Sequence, residues 1–209
     1  MIYVIITTSI YNKVGVNNYE HRKERYTKSI KSLLKDIEGE EIKAIVVENN
    51  GYRSTYLDEL GCDVVYTNSN DVDFGDYKGV NELLDIKQVM NQYKIKDEDM
   101  IIKLTGRYRM VNKSFIEVVK CNIERYDAFL KFYNVCTHEY MRNDCVLGLY
   151  GMRCKYLKKF KYNCMRSNKS PECEFAEHVR GNVLDERTME LRDLGLECCF
   201  ADDLRLLYV

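Results

Sequence analysis

The chain of 209 residues is long enough to enclose a substantial core, and 45% of its residues are hydrophobic. Its 32 basic residues nearly balance 33 acidic ones. The resulting net charge of −1 excludes bulk electrostatic capture of nucleic acid but leaves room for a local basic pocket.

No apolar run approaches the ~18 residues of a membrane span, and the opening Met-Ile-Tyr-Val-Ile-Ile-Thr-Thr lacks the features of a secretory leader, so a soluble cytoplasmic protein is expected. Pro171 is the sole proline and no Pro/Gly/Ser-rich linker occurs, so residues 1–209 are expected to form one domain. The nine cysteines include no Cys-x-x-Cys pair. Cys136, Cys145, Cys154, Cys164 and Cys173 recur almost evenly, yet zinc sites pair ligands roughly two to four residues apart, so reduced thiols are expected.

In chain order, Ile2–Ile6 is a continuous apolar run, expected to be a buried strand ending in Thr7-Thr8-Ser9. A polar loop follows. Tyr26, Ile30, Leu33, Leu34 and Ile37 then fall at helical spacing. Arg22 shares that apolar face near the helix start, where it either snorkels to solvent or contacts a phosphate or base. Arg25 is expected at the surface.

Ile42–Val47 reads as a second strand ending in Glu48-Asn49-Asn50-Gly51, and Val64–Tyr66 as a third ending in Thr67-Asn68. The run from Asp71 to Glu82 is dense in polar residues. Asp71 and Asp73 either share a hard divalent cation with a diphosphate or belong to a solvated loop. Lys78-Gly79 at a helix start suits an anion, although neither a P-loop nor a GxGxxG motif occurs. Val80, Leu83, Leu84, Met90 and Tyr93 mark that helix. Met100–Leu104 is the next strand, and Gly106 lets the backbone turn so that Lys103 and Arg107 place positive charge near its exit.

Further on, Phe115–Tyr126 is expected to be helical, and Ala128–Tyr133 and Val146–Tyr150 to be strands. Ser170-Pro171-Glu172 is a helix start, with serine as cap and proline in the first helical position. Glu172, Glu174, Glu177 and His178 cluster there. They either answer the helix dipole or supply a general base. A last helix is expected over Glu186–Leu194 and a short strand over Cys198–Ala201.

Alternating strands and amphipathic helices imply βαβ units and an α/β fold with a mostly parallel central sheet. Ligands of such sheets gather beyond the carboxyl ends of the strands. Four ends here are rich in polar side chains: Thr7-Thr8-Ser9, Glu48-Asn49-Asn50, Thr67-Asn68 and Thr105-Gly106-Arg107.

Ile5-Ile6-Thr7-Thr8-Ser9, Arg22-Lys23-Glu24-Arg25-Tyr26, Val47-Glu48-Asn49-Asn50-Gly51, Tyr66-Thr67-Asn68, Lys78-Gly79-Val80-Asn81-Glu82 and Lys103-Leu104-Thr105-Gly106-Arg107-Tyr108 follow one another in that order. Over roughly residues 1–110 this resembles the small GT-A-fold glycosyltransferases of large DNA viruses of algae, such as chlorella-virus enzymes that decorate the capsid glycoprotein. The resemblance implies a Rossmann-type GT-A sheet whose first half, 1–110, binds a nucleotide-sugar, and whose second half, 111–209, faces a glycan or glycoprotein acceptor.

It further implies a UDP-sugar donor, frequently with Mn²⁺ or Mg²⁺, in the cytoplasm of an infected host. Thr7, Thr8 and Glu48 would then face the nucleoside, Arg22, Lys78 and Arg107 the diphosphate or sugar, and Asn49 would be a further donor-binding residue. Asn81 and Glu82 would lie near the donor sugar, beside Thr105 and Gly106. GT-A enzymes usually carry Asp-x-Asp after the fourth strand, where this chain reads Leu104-Thr105-Gly106-Arg107. Either Asp71 and Asp73 bind the metal, or Lys103 and Arg107 neutralise the diphosphate without one. For an inverting reaction Glu174 or Glu177 is the expected base. A nucleotidyltransferase is the competing enzyme class, although the loop Ile10–Asn18 is not glycine-rich. A catalytically silent nucleotide-binding or scaffold domain is the competing non-enzyme.

Overall fold

Apolar residues follow one another without a break along the start of the first strand, β1 (Ile2–Thr8), because both of its faces are covered. Val4 and Ile6 point into one core, where they meet Tyr26, Ile30 and Leu33 of α1 (Tyr19–Asp36). Ile5 points into the opposite core, with Ile45 and Val47 of β2 (Ile42–Glu48). The computed structural model describes residues 1–13, 15–72, 74, 78–163 and 169–209, and of Lys78 the backbone alone.

β3 (Asp63–Tyr66), α2 (Lys78–Gln92) and β4 (Met100–Thr105) complete the first half. Beyond it come β5 (Arg109–Met110), α3 (Ser114–Asn122), β6 (Ala128–Leu130) and β7 (Leu149–Arg153). The chain continues through α4 (Cys154–Lys159), α5 (Pro171–Asn182), β8 (Thr188–Glu190), β9 (Leu196–Cys199) and β10 (Leu206–Tyr208).

Seven strands form the main sheet in the order β3-β2-β1-β4-β7-β6-β8, and only β7 runs against the rest. Helices α1 and α3 cover one face. Helices α2, α4 and α5 cover the other with Leu83, Ile86, Leu157, Phe175 and Val179. The α/β fold with a mostly parallel sheet is the one expected. β2 lies on one side of β1 and β4 on the other, which opens a crevice beyond their carboxyl ends. Register keeps those ends level: Thr8 pairs with Glu48, and Thr7 with Thr105.

The caps follow the residues. Asn18 accepts from His21 N at 3.0 Å and starts α1, and Ser170 accepts from Cys173 N at 3.2 Å with Pro171 in the first turn. The expected helix over Glu186–Leu194 is absent. Asp185–Arg187 is a 3-10 turn, and Thr188–Glu190 becomes the edge strand beside β6. Tertiary pairing overrides helix propensity here: Asp127 holds Arg187 at 2.8 Å, and Leu191 N donates to Leu130 O at 2.8 Å. A second small sheet, β10-β9-β5, packs beside the exit of β4. The described cysteines are all free. Among the described residues no helix is long and apolar enough to cross a membrane.

Candidate functional site

The strand ends of β1, β2 and β4 surround a cavity of about 350 Å³. Its floor is an ion pair, buried at the lysine and half-buried at the carboxylate. Lys103, 1% exposed, donates to Glu82 Oε2 at 2.8 Å, Thr105 Oγ1 at 2.6 Å and Leu147 O at 3.1 Å, which uses all three ammonium protons. Glu82 Oε1 accepts from Thr7 Oγ1 at 3.1 Å and Thr105 Oγ1 at 3.4 Å. Burial would raise the pKa of Glu82, but Lys103, Arg107 and the Thr7 hydroxyl outweigh it and hold the carboxyl below its usual range. Glu82 is therefore held as a carboxylate, and the hydrogen bonds of the pair are spent within the protein.

Two guanidinium groups on the walls are not spent in this way. Arg22 reaches the Tyr26 hydroxyl at 3.2 Å and Ser9 O at 3.5 Å. Arg107 donates from Nε to Cys199 O at 2.8 Å and stands 5.1 Å from the Tyr108 ring centre. Neither is in salt-bridge contact with a carboxylate among the described residues, although Arg107 and Glu82 act on each other through space. Both line the cavity, with Lys13 at its rim. Gly106 makes the arrangement possible: its N–H donates to Thr7 O at 2.8 Å, and a Cβ there would lie 2.8 Å from Thr8 Cγ2.

Behind the cavity two carboxylates brace the loops. Glu48 is fully buried and accepts from Thr8 Oγ1 at 2.7 Å, Ile10 N at 3.1 Å and Arg53 Nη2 at 3.1 Å. It supports the loop after β1 and does not line the cavity. Burial raises its pKa despite these donors. Asp85, also fully buried, accepts from Asn49 Nδ2 at 3.2 Å, Thr67 Oγ1 at 2.5 Å and Ser69 Oγ. This ties the turns after β2 and β3 to α2. Asn49 and Asn81 line the cavity, and the Oδ1 atom of each is buried without a hydrogen-bond partner among the described residues.

Burial pushes the Asp85 carboxyl up to about 6, against the three hydrogen bonds. A carboxyl whose folded pKa exceeds its unfolded one favours folding when protonated. Its contribution is present below the unfolded pKa and is lost as pH rises through about 6. Stability is therefore expected to fall by on the order of 1 kcal/mol from this group between pH ~5 and ~7.5. Asp85→Asn should flatten that slope, and urea unfolding of both proteins at the two pH values checks it.

Of the acidic cluster on α5, only Glu172 faces the cavity. It is half-buried, and burial together with the nearby Asp144 and Glu82 charges raises its pKa. Glu174 is 8% exposed and turns to Asn163 N at 2.6 Å, outside the lining. Glu177 is exposed and pairs with Lys169 at 2.5 Å. His178 meets Tyr156 O at 3.0 Å, and burial lowers its pKa.

Of the other expected residues, Thr7, Thr8, Arg22, Asn49, Asn81, Glu82, Lys103, Thr105 and Arg107 line the cavity together. Glu48 and Gly106 stand directly behind that lining. The backbone of Lys78 begins α2, and its side chain lies outside the described residues. Asp71 is exposed on a 3-10 turn, Ser69–Asp71, and Asp73 lies outside the described residues. Among the described residues no group of three His, Cys, Asp or Glu side chains could hold a metal ion. Of the carboxylates in the cavity lining, Glu82 is already bound to Lys103, which leaves Glu172 as the one not engaged by that lysine.

Sequence reasoning passed over Asp85 and misplaced Arg25, which is not on the surface: its side chain is 11% exposed and meets Glu197 at 2.7 Å. Asp85 carried a signal, because it occupies an inward position of α2 beside Ile86 and Val89.

No family model and no curated protein sequence matches the chain. Solved structures do resemble it. A protein described as a nucleotide-diphospho-sugar transferase from Desulfovibrio desulfuricans G20 superposes with a TM-score of 0.56 at 10% identity, over 91% of this chain and 79% of that one. A glycosyltransferase involved in glycosylation of the major capsid of PBCV-1 gives 0.51 at 11% identity, over 91% and 81%. A protein described as a glucose-1-phosphate thymidylyltransferase from Bacillus anthracis gives 0.52 at 12% identity, over 91% and 87%. The chain thus has the fold of the nucleotide-sugar transferases, a GT-A-like one, which glycosyl and nucleotidyl transferases share.

Proposed function

We propose that the protein transfers a sugar from a nucleoside-diphosphate sugar, with UDP as the expected carrier, to a hydroxyl of a glycan or glycoprotein. The observation that carries this reading is the meeting of Arg22 and Arg107, neither in salt-bridge contact with a carboxylate among the described residues, at the carboxyl ends of parallel strands. An anion with more than one phosphate satisfies both groups, and their fixed charge stabilises the pair of electrons that leaves with it.

In the reaction the acceptor oxygen forms a bond to the anomeric carbon as the carbon–oxygen bond to the diphosphate breaks. Glu172 is the group we assign to take the acceptor proton. It replaces Glu174 and Glu177 in that role because only its carboxylate faces the cavity, and its raised pKa makes it a stronger base. In this reading the two arginines meet the diphosphate, and Asp71 with Asp73 are the residues that would hold a metal ion if one shares it.

A second reading, nucleotidyl transfer, has the shared thymidylyltransferase fold in its favour. One experiment separates the readings. The purified protein is incubated with a panel of UDP-, GDP- and CMP-sugars, and separately with nucleoside triphosphates plus sugar 1-phosphates, each with EDTA and with Mn²⁺. Slow release of UDP from one UDP-sugar, unaffected by EDTA, is expected. Pyrophosphate release from a triphosphate would favour nucleotidyl transfer, and turnover only with Mn²⁺ would return the diphosphate to a metal held by Asp71 and Asp73. Nucleotide binding without any turnover would describe a silent binding domain.

A further inference from the structure

The turn that carries Arg107 has one backbone hydrogen bond of its own, from Tyr108 N to Thr105 O at 2.8 Å. Gly106 precedes it, and the close approach to Thr7 and Thr8 allows no larger residue there. The backbone carbonyl of Arg107 is held from outside. Arg25 of α1 donates to it from Nη2 at 3.0 Å and from Nε at 3.3 Å. The remaining Arg25 nitrogen, Nη1, meets Glu197 Oε1 at 2.7 Å.

Glu197 lies on β9, is 4% exposed, and is itself pinned by Arg109 Nη2 at 2.9 Å and the Tyr208 hydroxyl at 2.6 Å. Two residues along the same strand, Cys199 O accepts Arg107 Nε at 2.8 Å. One strand therefore holds the side chain of Arg107 directly and its main chain through Arg25.

We infer that Arg25 and Glu197 are positioning residues for the Arg107 guanidinium, fixing it where a diphosphate arrives without touching the ligand themselves. The inference rests on the reading of the cavity as a diphosphate site. A salt bridge that merely fastened α1 to the small sheet could end on any surface group. This one ends on the carbonyl of the residue whose side chain enters the cavity, and a small rotation of that peptide swings the guanidinium out of place. Arg109, Tyr208 and Arg25 hold the Glu197 carboxyl down at about 2, so the network stays charged across any working pH. Its contribution is lost only as pH falls towards that value.

The test is calorimetric titration of UDP and of uridine into wild type, Arg25→Ala, Arg25→Lys, Glu197→Gln, Arg107→Ala and the double variant Arg25→Ala/Arg107→Ala, with a thermal melt of each. Arg25→Ala is expected to weaken UDP on the order of tenfold while uridine binding is unchanged. Arg25→Lys should fall between, since an ammonium keeps the charge and loses the two-nitrogen grip. In the Arg107→Ala background the Arg25 change should cost nothing more.

Additive losses in the double variant, or an equal loss of uridine, would overturn the inference and leave the network a purely structural one. Should Arg25→Ala not fold, Glu197→Gln carries the same comparison. If Arg107→Ala itself binds UDP as wild type does, the diphosphate reading fails and the inference with it.

Discussion

Arg107→Ala is expected to weaken UDP binding by about 1.5–3 kcal/mol, roughly 10- to 150-fold, because one charge-assisted contact to phosphate disappears. Uridine, which carries no phosphate, should bind as before, so titration of both ligands isolates the charge from the shape of the cavity. Folding should hardly change. Among the described residues the guanidinium makes one hydrogen bond, to Cys199 O, and packs on the Tyr108 ring. Arg107→Lys recovers only part of the loss, since an ammonium cannot present two parallel donors to a diphosphate. Equal loss of uridine and UDP would show that the substitution had collapsed the cavity and removed no specific charge.

The second large effect belongs to Glu172→Gln. Glutamine keeps the size of the side chain and cannot accept a proton, so turnover is expected to fall by about 10²- to 10⁴-fold with UDP affinity within about twofold. The pH profile gives a sharper signature. A base acts in its ionised form, so the wild-type rate should rise with pH through the raised pKa of Glu172, and the variant should lack that limb. Steady-state rates across pH for both proteins check this. Unchanged turnover in the variant would point to a retaining reaction, which needs no such base.

The first half of the molecule could be read because its signals are local. Continuous apolar runs mark β1, β2 and β4, and the polar residues at their ends, Thr7, Asn49 and Thr105, do meet at one cavity. Single positions were harder, because partners distant in sequence decide them. Lys103 looked like a phosphate ligand from its place in the chain, yet Glu82, Thr105 and Leu147 already occupy its three protons.

Glu174 and Glu172 share one helix turn, and only the direction of α5 relative to the sheet separates the buried one from the one that faces the cavity. The run Glu186–Leu194 contains no Pro or Gly until Gly195, so nothing local forbade a helix. The edge of β6 draws Thr188–Glu190 into a strand instead. Arg25 resembles a surface residue until Glu197, 172 positions away, is brought beside it.

That last separation bears on when the molecule becomes competent during its synthesis. The strand ends of β1, β2 and β4 leave the ribosome early, but the carbonyl that receives Arg107 Nε belongs to Cys199, 92 residues later. A nascent fragment ending before Leu196 would carry Arg22, Asn49 and Arg107 without the strand that fixes the last of them. Closing contacts so distant in sequence is entropically costly and slow. Capture of a nucleotide by the emerging chain would thus mark the arrival of its final strands.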